Sequence, residues 1–238
     1  LCIYRLDWVD FQEWTNENKY KRSFLRVLKA FQDQIIVEGS YAETFSKLKP
    51  LDFGVDIARM TKDFTGRQWL FDEVNHWLRN SAGKLFLITG DPGIGKSSII
   101  AQLANKHPQV MAYHFCIASL ADSLNPDFFV KSIASQLATQ IKDYHESIRK
   151  LNYEQLTRLD SGTLFRRLIA DPLKSIELKE QVVILIDALD ESWTTTDGNI
   201  VTVLHERIED LPDQVKIIVS SRKIPHIFDL LSKYKPYE

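Results

Sequence analysis

Residues 90–97 read Gly-Asp-Pro-Gly-Ile-Gly-Lys-Ser, and this octapeptide decides the fold. It satisfies the pattern G-x-x-x-x-G-K-[ST], in which backbone N–H groups wrap around a phosphate. An apolar strand is predicted immediately before it, over Leu85–Thr89, and a helix immediately after it, over Lys96–Lys106. Strand, glycine-rich turn and helix in this order are the context that a phosphate-binding loop requires. The sequence therefore predicts a nucleotide site here.

Each residue type in the octapeptide has a chemical reason to be there. Glycines give the chain the conformations and the clearance that a close phosphate requires. Lys96 is expected to reach the β- and γ-phosphates, and Ser97 to offer its hydroxyl to Mg²⁺. The alternative is a glycine-rich turn that binds nothing. The residues expected to contact the nucleotide are Gly90, Asp91, Pro92, Gly93, Ile94, Gly95, Lys96, Ser97 and Ser98.

A second polar cluster follows the predicted buried strand Gln181–Asp187. Asp187 ends this strand, and we expect it to hold Mg²⁺ together with Ser97. Asp190 and Glu191 come directly afterwards, where a carboxylate can orient or deprotonate the water that attacks the γ-phosphate. Sequence alone does not decide between these two acids, although we favour Glu191. The alternative for Asp187 is an acidic turn after a strand, without a ligand.

Arg222 follows another predicted strand, Gln214–Ser220. Ligands in open α/β folds bind at the carboxyl ends of the strands, so this guanidinium is expected near the phosphates. There it would sense the γ-phosphate or stabilise the charge that develops during transfer. The alternative is a solvated arginine that ends a strand.

The rest of the chain has the pattern of a parallel sheet covered by helices. Near-continuous Val and Ile runs predict strands that are buried on both faces, and helical periodicity separates them. The fold class is therefore α/β, a three-layer P-loop NTPase fold. The further elements predicted are a strand over Val110–Cys116 and helices over Pro126–Ile141, Ser161–Ile176 and Ile200–Ile208.

Composition limits the partners and the compartment. The chain has 238 residues with 30 Lys and Arg against 32 Asp and Glu, so no overall basic field would attract nucleic acid or anionic lipid. No apolar run approaches the roughly 18 residues of a membrane span. Cys2 and Cys116 are the only cysteines, which favours the reducing cytoplasm. His114 and Cys116 share a predicted strand but lack further ligands, so we interpret them as packing.

Four motifs together resemble a STAND NTPase of the NACHT type. They are GDPGIGKSS at 90–98, LIDALDE at 185–191, IIVSSR at 217–222 and FTGR at 64–67. The resemblance implies that Gly66 and Arg67 lie against the adenine of bound ATP or ADP, with Mg²⁺ as the metal. It also implies a switch that hydrolyses ATP, self-associates when activated and responds to a protein trigger.

The resemblance also suggests how the chain divides. We predict a nucleotide-binding domain over 64–238, a linker over 36–63 with one short helix near Ala42–Leu48, and a separate strand and helix over 1–35. The first segment is similar to the end of a TIR domain, an effector often joined to such NTPases, although a strand and helix that cap the NTPase is an equal alternative. The family's lid and winged helix do not fit into the sixteen residues after Arg222.

Two other functions fit the same motifs. One is a scaffold that binds ATP or ADP without turnover, against which the acids at 190 and 191 argue. The other is an AAA+ motor or DNA-loader ATPase, which predicts an arginine finger and a basic surface. Arg166 and Arg167 are candidates for the finger, but we favour a solvated helix face together with helix packing as their explanation.

Overall fold

A computed structural model of the chain describes residues 41–62, 64–193 and 198–234. The chain divides into two compact units, residues 1–44 and 45–238, and the second contains the sheet. The predicted strand and helix over 1–35, including the TIR-like residues, lie outside the described ranges. None of the described helices has the length and apolar character needed to span a bilayer.

Four strands form one parallel sheet in the order β1-β4-β3-β2. Thr89 lies opposite Ser221, and Phe115 lies opposite Asp187, so all four strands end at the same edge of the sheet. The strands are β1 Leu85–Thr89, β2 Val110–Phe115, β3 Val182–Asp187 and β4 Val215–Ser221. Each strand predicted between residues 85 and 220 is therefore present within one residue of its predicted bounds.

Helices connect the strands, as parallel neighbours require. Residues 41–48 are helical. The α-helices that follow are α1 Gly54–Thr61, α2 Gln68–Asn80, α3 Lys96–Lys106, α4 Ala121–Leu124, α5 Pro126–Gln140, α6 Lys142–Ile148, α7 Tyr153–Leu156, α8 Ser161–Phe165, α9 Asp171–Lys174, α10 Ile200–Arg207 and α11 Pro225–Ser232. A π-helical turn spans Arg166–Ala170, and 3₁₀ turns span Leu189–Ser192 and Ile208–Asp210.

The sheet is the middle of three layers, because alternate side chains of each strand point to opposite faces. Leu85 and Leu87 of β1 belong to a core formed with α5, the segment from α8 to α9, and α10. Phe86 and Ile88 belong to a separate core formed with α1, α2 and α3. This arrangement confirms the predicted α/β fold with helices on both faces of a parallel sheet.

The helices show where the sequence reading was incomplete. The helix predicted over 161–176 consists of α8, the π-helical turn and α9. Helices α1, α4, α6, α7 and α11 were not predicted. Leu48, Phe53 and Ile57 are buried core residues, so the predicted linker contributes to the packed unit from Phe45 onward.

Candidate nucleotide-binding site

The phosphate loop, residues 90–97, takes its shape from backbone conformations that favour glycine. Gly93 has φ of 80° and Gly95 has φ of 87°, both in the left-handed region that residues with a side chain rarely occupy. Gly95 is the N-cap of α3, and its carbonyl accepts the N–H of Ile99 at 3.2 Å. The loop therefore ends directly at a helix N-terminus, where free N–H groups and the helix dipole favour an anion.

Lys96 lies across this loop. Its ammonium Nζ donates to the carbonyl oxygens of Gly90 at 2.6 Å and Asp91 at 3.0 Å. The charge is thus held over the span of backbone that would surround a phosphate. The role of Lys96 on the β- and γ-phosphates stays a prediction.

Asp187 lies at the end of β3, buried beside the start of α3. The hydroxyl of Ser220 donates to Asp187 Oδ1, and the hydroxyl of Ser97 also hydrogen-bonds this carboxyl. Burial raises the pKa of Asp187 above its usual range, and these hydrogen bonds partly oppose that shift. A buried carboxylate and a serine hydroxyl in contact are oxygen ligands of the kind Mg²⁺ uses with phosphates and water, so the pair fits this ion.

Asp190 and Arg222 form an ion pair at the mouth of the site. Asp190 Oδ1 accepts the backbone N–H of Arg222 at 3.0 Å, and Oδ2 lies 3.2 Å from Arg222 Nε. The Asp190 side chain is only 6% exposed, while that of Arg222 is 52% exposed. Both oxygens of Asp190 are therefore committed to orienting Arg222, which disfavours Asp190 as the acid that positions water.

Glu191 has a different partner. Its Oε2 accepts the backbone N–H of Ala118 at 2.6 Å, from the segment that follows β2. The left-handed conformation of Ala188, with φ of 51°, turns the chain sharply after β3 and begins the turn that carries both acids. Ala188 N–H donates to Ser220 Oγ at 2.9 Å, so β4 also supports this turn.

A cleft of about 270 Å³ brings most of these residues together. Its lining consists of Pro92, Gly93, Gly95, Lys96, Ser97, Ala188, Asp190, Glu191, Ser220 and Arg222. The phosphate loop thus forms one wall and the acidic residues the other, as expected for strands that end at one edge. Ala188 and the Ala118 amide were not predicted as site residues. Ser220 lies at the polar end of its strand, which was expected at this edge of the sheet.

Gly66 and Arg67 lie beside the loop but face different spaces. The Arg67 guanidinium donates to the carbonyl of Ile94 and lies about 3.4 Å from the position a Cβ on Gly95 would take. Gly66 lines a separate recess of about 500 Å³, together with Phe64, Phe71 and the C-terminal half of α3. The structure therefore places Arg67, and not Gly66, against the phosphate loop.

The chain matches the model of a known family. A family model described as Nephrocystin 3, N-terminal, matches residues 65–222. The matched range is about two thirds of the chain and contains the phosphate loop, Asp187, both acids of the following turn and Arg222. Its limits lie within one residue of the range over which the four sequence motifs extend.

Proposed function

The chain belongs to the Nephrocystin 3, N-terminal family, and from this premise we propose that it is a P-loop ATPase that acts as a molecular switch. The observation that carries the proposal is the cleft in which the phosphate loop faces Glu191, while the buried Asp187 contacts the Ser97 hydroxyl of the same loop. A loop that only packed against its neighbours would need neither the left-handed glycines nor the lysine across them.

Different residues of the site bind ATP and promote its hydrolysis. Backbone N–H groups of the phosphate loop bind the β-phosphate, and Lys96 binds β- and γ-phosphate oxygens. Ser97 and Asp187 hold Mg²⁺, which when bound neutralises charge on the phosphates. Glu191 orients the attacking water and accepts its proton, while Arg222, held by Asp190, stabilises charge on the γ-phosphate.

The switch itself rests on the resemblance to NACHT-type STAND NTPases. In this proposal the ATP-bound form self-associates, activates an attached effector such as a TIR domain, and responds to a protein trigger. We further propose that the adenine lies near Gly66 and Arg67. Size-exclusion chromatography with light scattering on the full-length protein tests self-association. A mass that ATP and Mg²⁺ leave unchanged, with the trigger present, contradicts this part.

Single-turnover hydrolysis of labelled ATP with Mg²⁺ tests the enzymatic part. We expect phosphate release that falls sharply in Lys96→Ala, because ATP binds much more weakly, and in Glu191→Gln, because bound ATP is cleaved far more slowly. Lys174→Ala is the matched control, since this exposed lysine lies in α9, outside the cleft lining. ATP that binds through Lys96 and remains intact supports the alternative, a nucleotide-binding scaffold.

A further inference from the structure

Glu191, which orients water in the proposed mechanism, is hydrogen-bonded by a segment that is distant in sequence. Glu191 Oε2 accepts the N–H of Ala118 at 2.6 Å, although 73 residues separate them. One carboxylate oxygen is thereby committed to the segment after β2, and Glu191 still lines the cleft. The position of this carboxylate depends on whatever fixes Ala118.

Ser123 fixes the segment that contains Ala118. Its hydroxyl accepts the N–H of Ile117 at 2.9 Å and lies 2.7 Å from the carbonyl oxygen of Leu120, to which it donates. Backbone hydrogen bonds hold the same segment. Leu120 N–H donates to the Ile117 carbonyl oxygen at 2.8 Å, and Ser123 N–H donates to the Leu120 carbonyl oxygen at 2.9 Å. Ser123 is fully buried, so its hydroxyl exchanges no hydrogen bonds with bulk water.

His114 in turn fixes Ser123. Its Nε2–H donates to the Ser123 carbonyl oxygen at 2.7 Å, and the ring lies edge-on between Phe53 and Phe129, with centroids 5.3 and 5.1 Å away. Burial lowers the pKa of His114 to about 4, so the ring is neutral near pH 7. Because the Ser123 carbonyl can only accept, the neutral ring carries its proton on Nε2.

We propose that Ser123 is a positioning residue for ATP hydrolysis, acting through the Ala118 amide on Glu191. The inference rests on the proposed function, because it assigns a support to the acid of that reaction. Anchoring one oxygen limits the rotamers of Glu191 and leaves the other oxygen for water. Loss of a support of this kind typically reduces activity 10–100-fold, so we expect about a tenfold fall in kcat for Ser123→Ala.

The test compares two buried serines. Ser135→Ala is the control, because Ser135 is equally buried in α5 and its hydroxyl has no hydrogen-bond partner among the described residues. We expect Ser123→Ala to lower kcat with ATP affinity unchanged, and Ser135→Ala to change neither. Adding Ser123→Ala to Glu191→Gln should give no further loss of kcat, because both act on the same carboxylate.

Hydrogen exchange at the Ala118 amide provides a readout that does not depend on turnover. We expect faster exchange in Ser123→Ala and in Glu191→Ala, and wild-type exchange in Ser135→Ala. If Ser123→Ala fails to fold, Ser123→Cys takes its place, because a thiol keeps the volume but forms weaker hydrogen bonds. Exchange at the Ala118 amide should then be moderately faster than in the wild type. An equal loss of ATP affinity and kcat, a rise in kcat, or additive losses with Glu191→Gln would overturn the assignment. Absence of Lys96-dependent hydrolysis in the wild type would instead overturn the proposed ATPase, and this assignment with it.

Discussion

The phosphate loop and the acidic turn Leu189–Ser192 face each other across one cleft, but they are held in different ways. The loop is shaped by its own glycines, and its lysine bonds to carbonyls within the same loop. The acidic turn is held by distant segments, since Asp190 bonds Arg222 across 32 residues and Glu191 bonds Ala118 across 73. Local sequence therefore shapes the phosphate loop, whereas tertiary contacts decide the partner of each acid.

The largest expected effect concerns the buried histidine behind the acidic turn. His114 has a pKa of about 4 in the folded chain against 6.5 ordinarily. Between these values the unfolded chain binds a proton that the folded chain does not, so the free energy of unfolding falls as the pH falls from 6.5 to 4. The loss amounts to about 3 kcal/mol.

Urea unfolding at a series of pH values measures this loss. His114→Gln keeps an N–H donor for Ser123 but does not titrate, so its stability should depend less on pH across the window. His76→Gln, at an exposed position on α2, should retain the wild-type dependence. Equal slopes for His114→Gln and the wild type would contradict a buried neutral imidazole.

The next effect separates binding from turnover across the cleft. Lys96→Ala should weaken ATP binding about a hundredfold, since hydrogen bonds to charged groups contribute about 1.5–3 kcal/mol each. Glu191→Gln should leave the affinity within about twofold, because its partner is the Ala118 amide and not a phosphate. Isothermal titration with ATP and Mg²⁺ compares the two variants. Equal losses of ATP affinity in the two variants would mean that the acidic turn also contributes to ATP binding.

The same contrast explains how far the sequence could be read. All four strands were predicted within a residue, because continuous Val and Ile runs are a strong signal. The phosphate loop was identified because its fixed spacing and its flanking elements are local. Helix α1 was missed because it is only eight residues long and begins at Gly54, in a stretch interpreted as a linker, and α11 because it lies beyond the last motif.

The roles of the acids could not be predicted in the same way. Asp190 and Glu191 are adjacent and chemically alike, and only their partners distinguish them. The partner of Glu191 is a backbone N–H, a group that every residue except proline carries, so no pattern marks Ala118. Sequence reasoning therefore interpreted Arg222 as a free phosphate sensor, whereas the structure pairs it with Asp190.

A smaller effect tests whether the loop is held by local conformation alone. Gly93 has φ of 80°, and a Cβ there would meet nothing within 4 Å, so Gly93→Ala should cost only backbone strain, about 1–2 kcal/mol. Gly198 has φ of 89° and equal space, so Gly198→Ala should lose similar stability. Only Gly93→Ala should also weaken ATP binding. Equal ATP affinities in the two variants would show that the loop tolerates the change.

The smallest expected effect is the coupling between Asp190 and Arg222. Its size shows whether this ion pair has a structural or a catalytic role. Arg222 is half exposed, so the coupling energy in the folded protein should be at most about 1 kcal/mol in a double-mutant cycle of unfolding free energies. In single-turnover hydrolysis the same cycle should show a larger interaction, because Asp190→Asn releases a guanidinium that the proposed mechanism needs in place. If the coupling energy measured in hydrolysis is no larger than that measured in unfolding, the ion pair only stabilises the chain at the end of β4. Glu191, anchored on Ala118, would then be the single residue of the acidic turn that acts on the nucleotide.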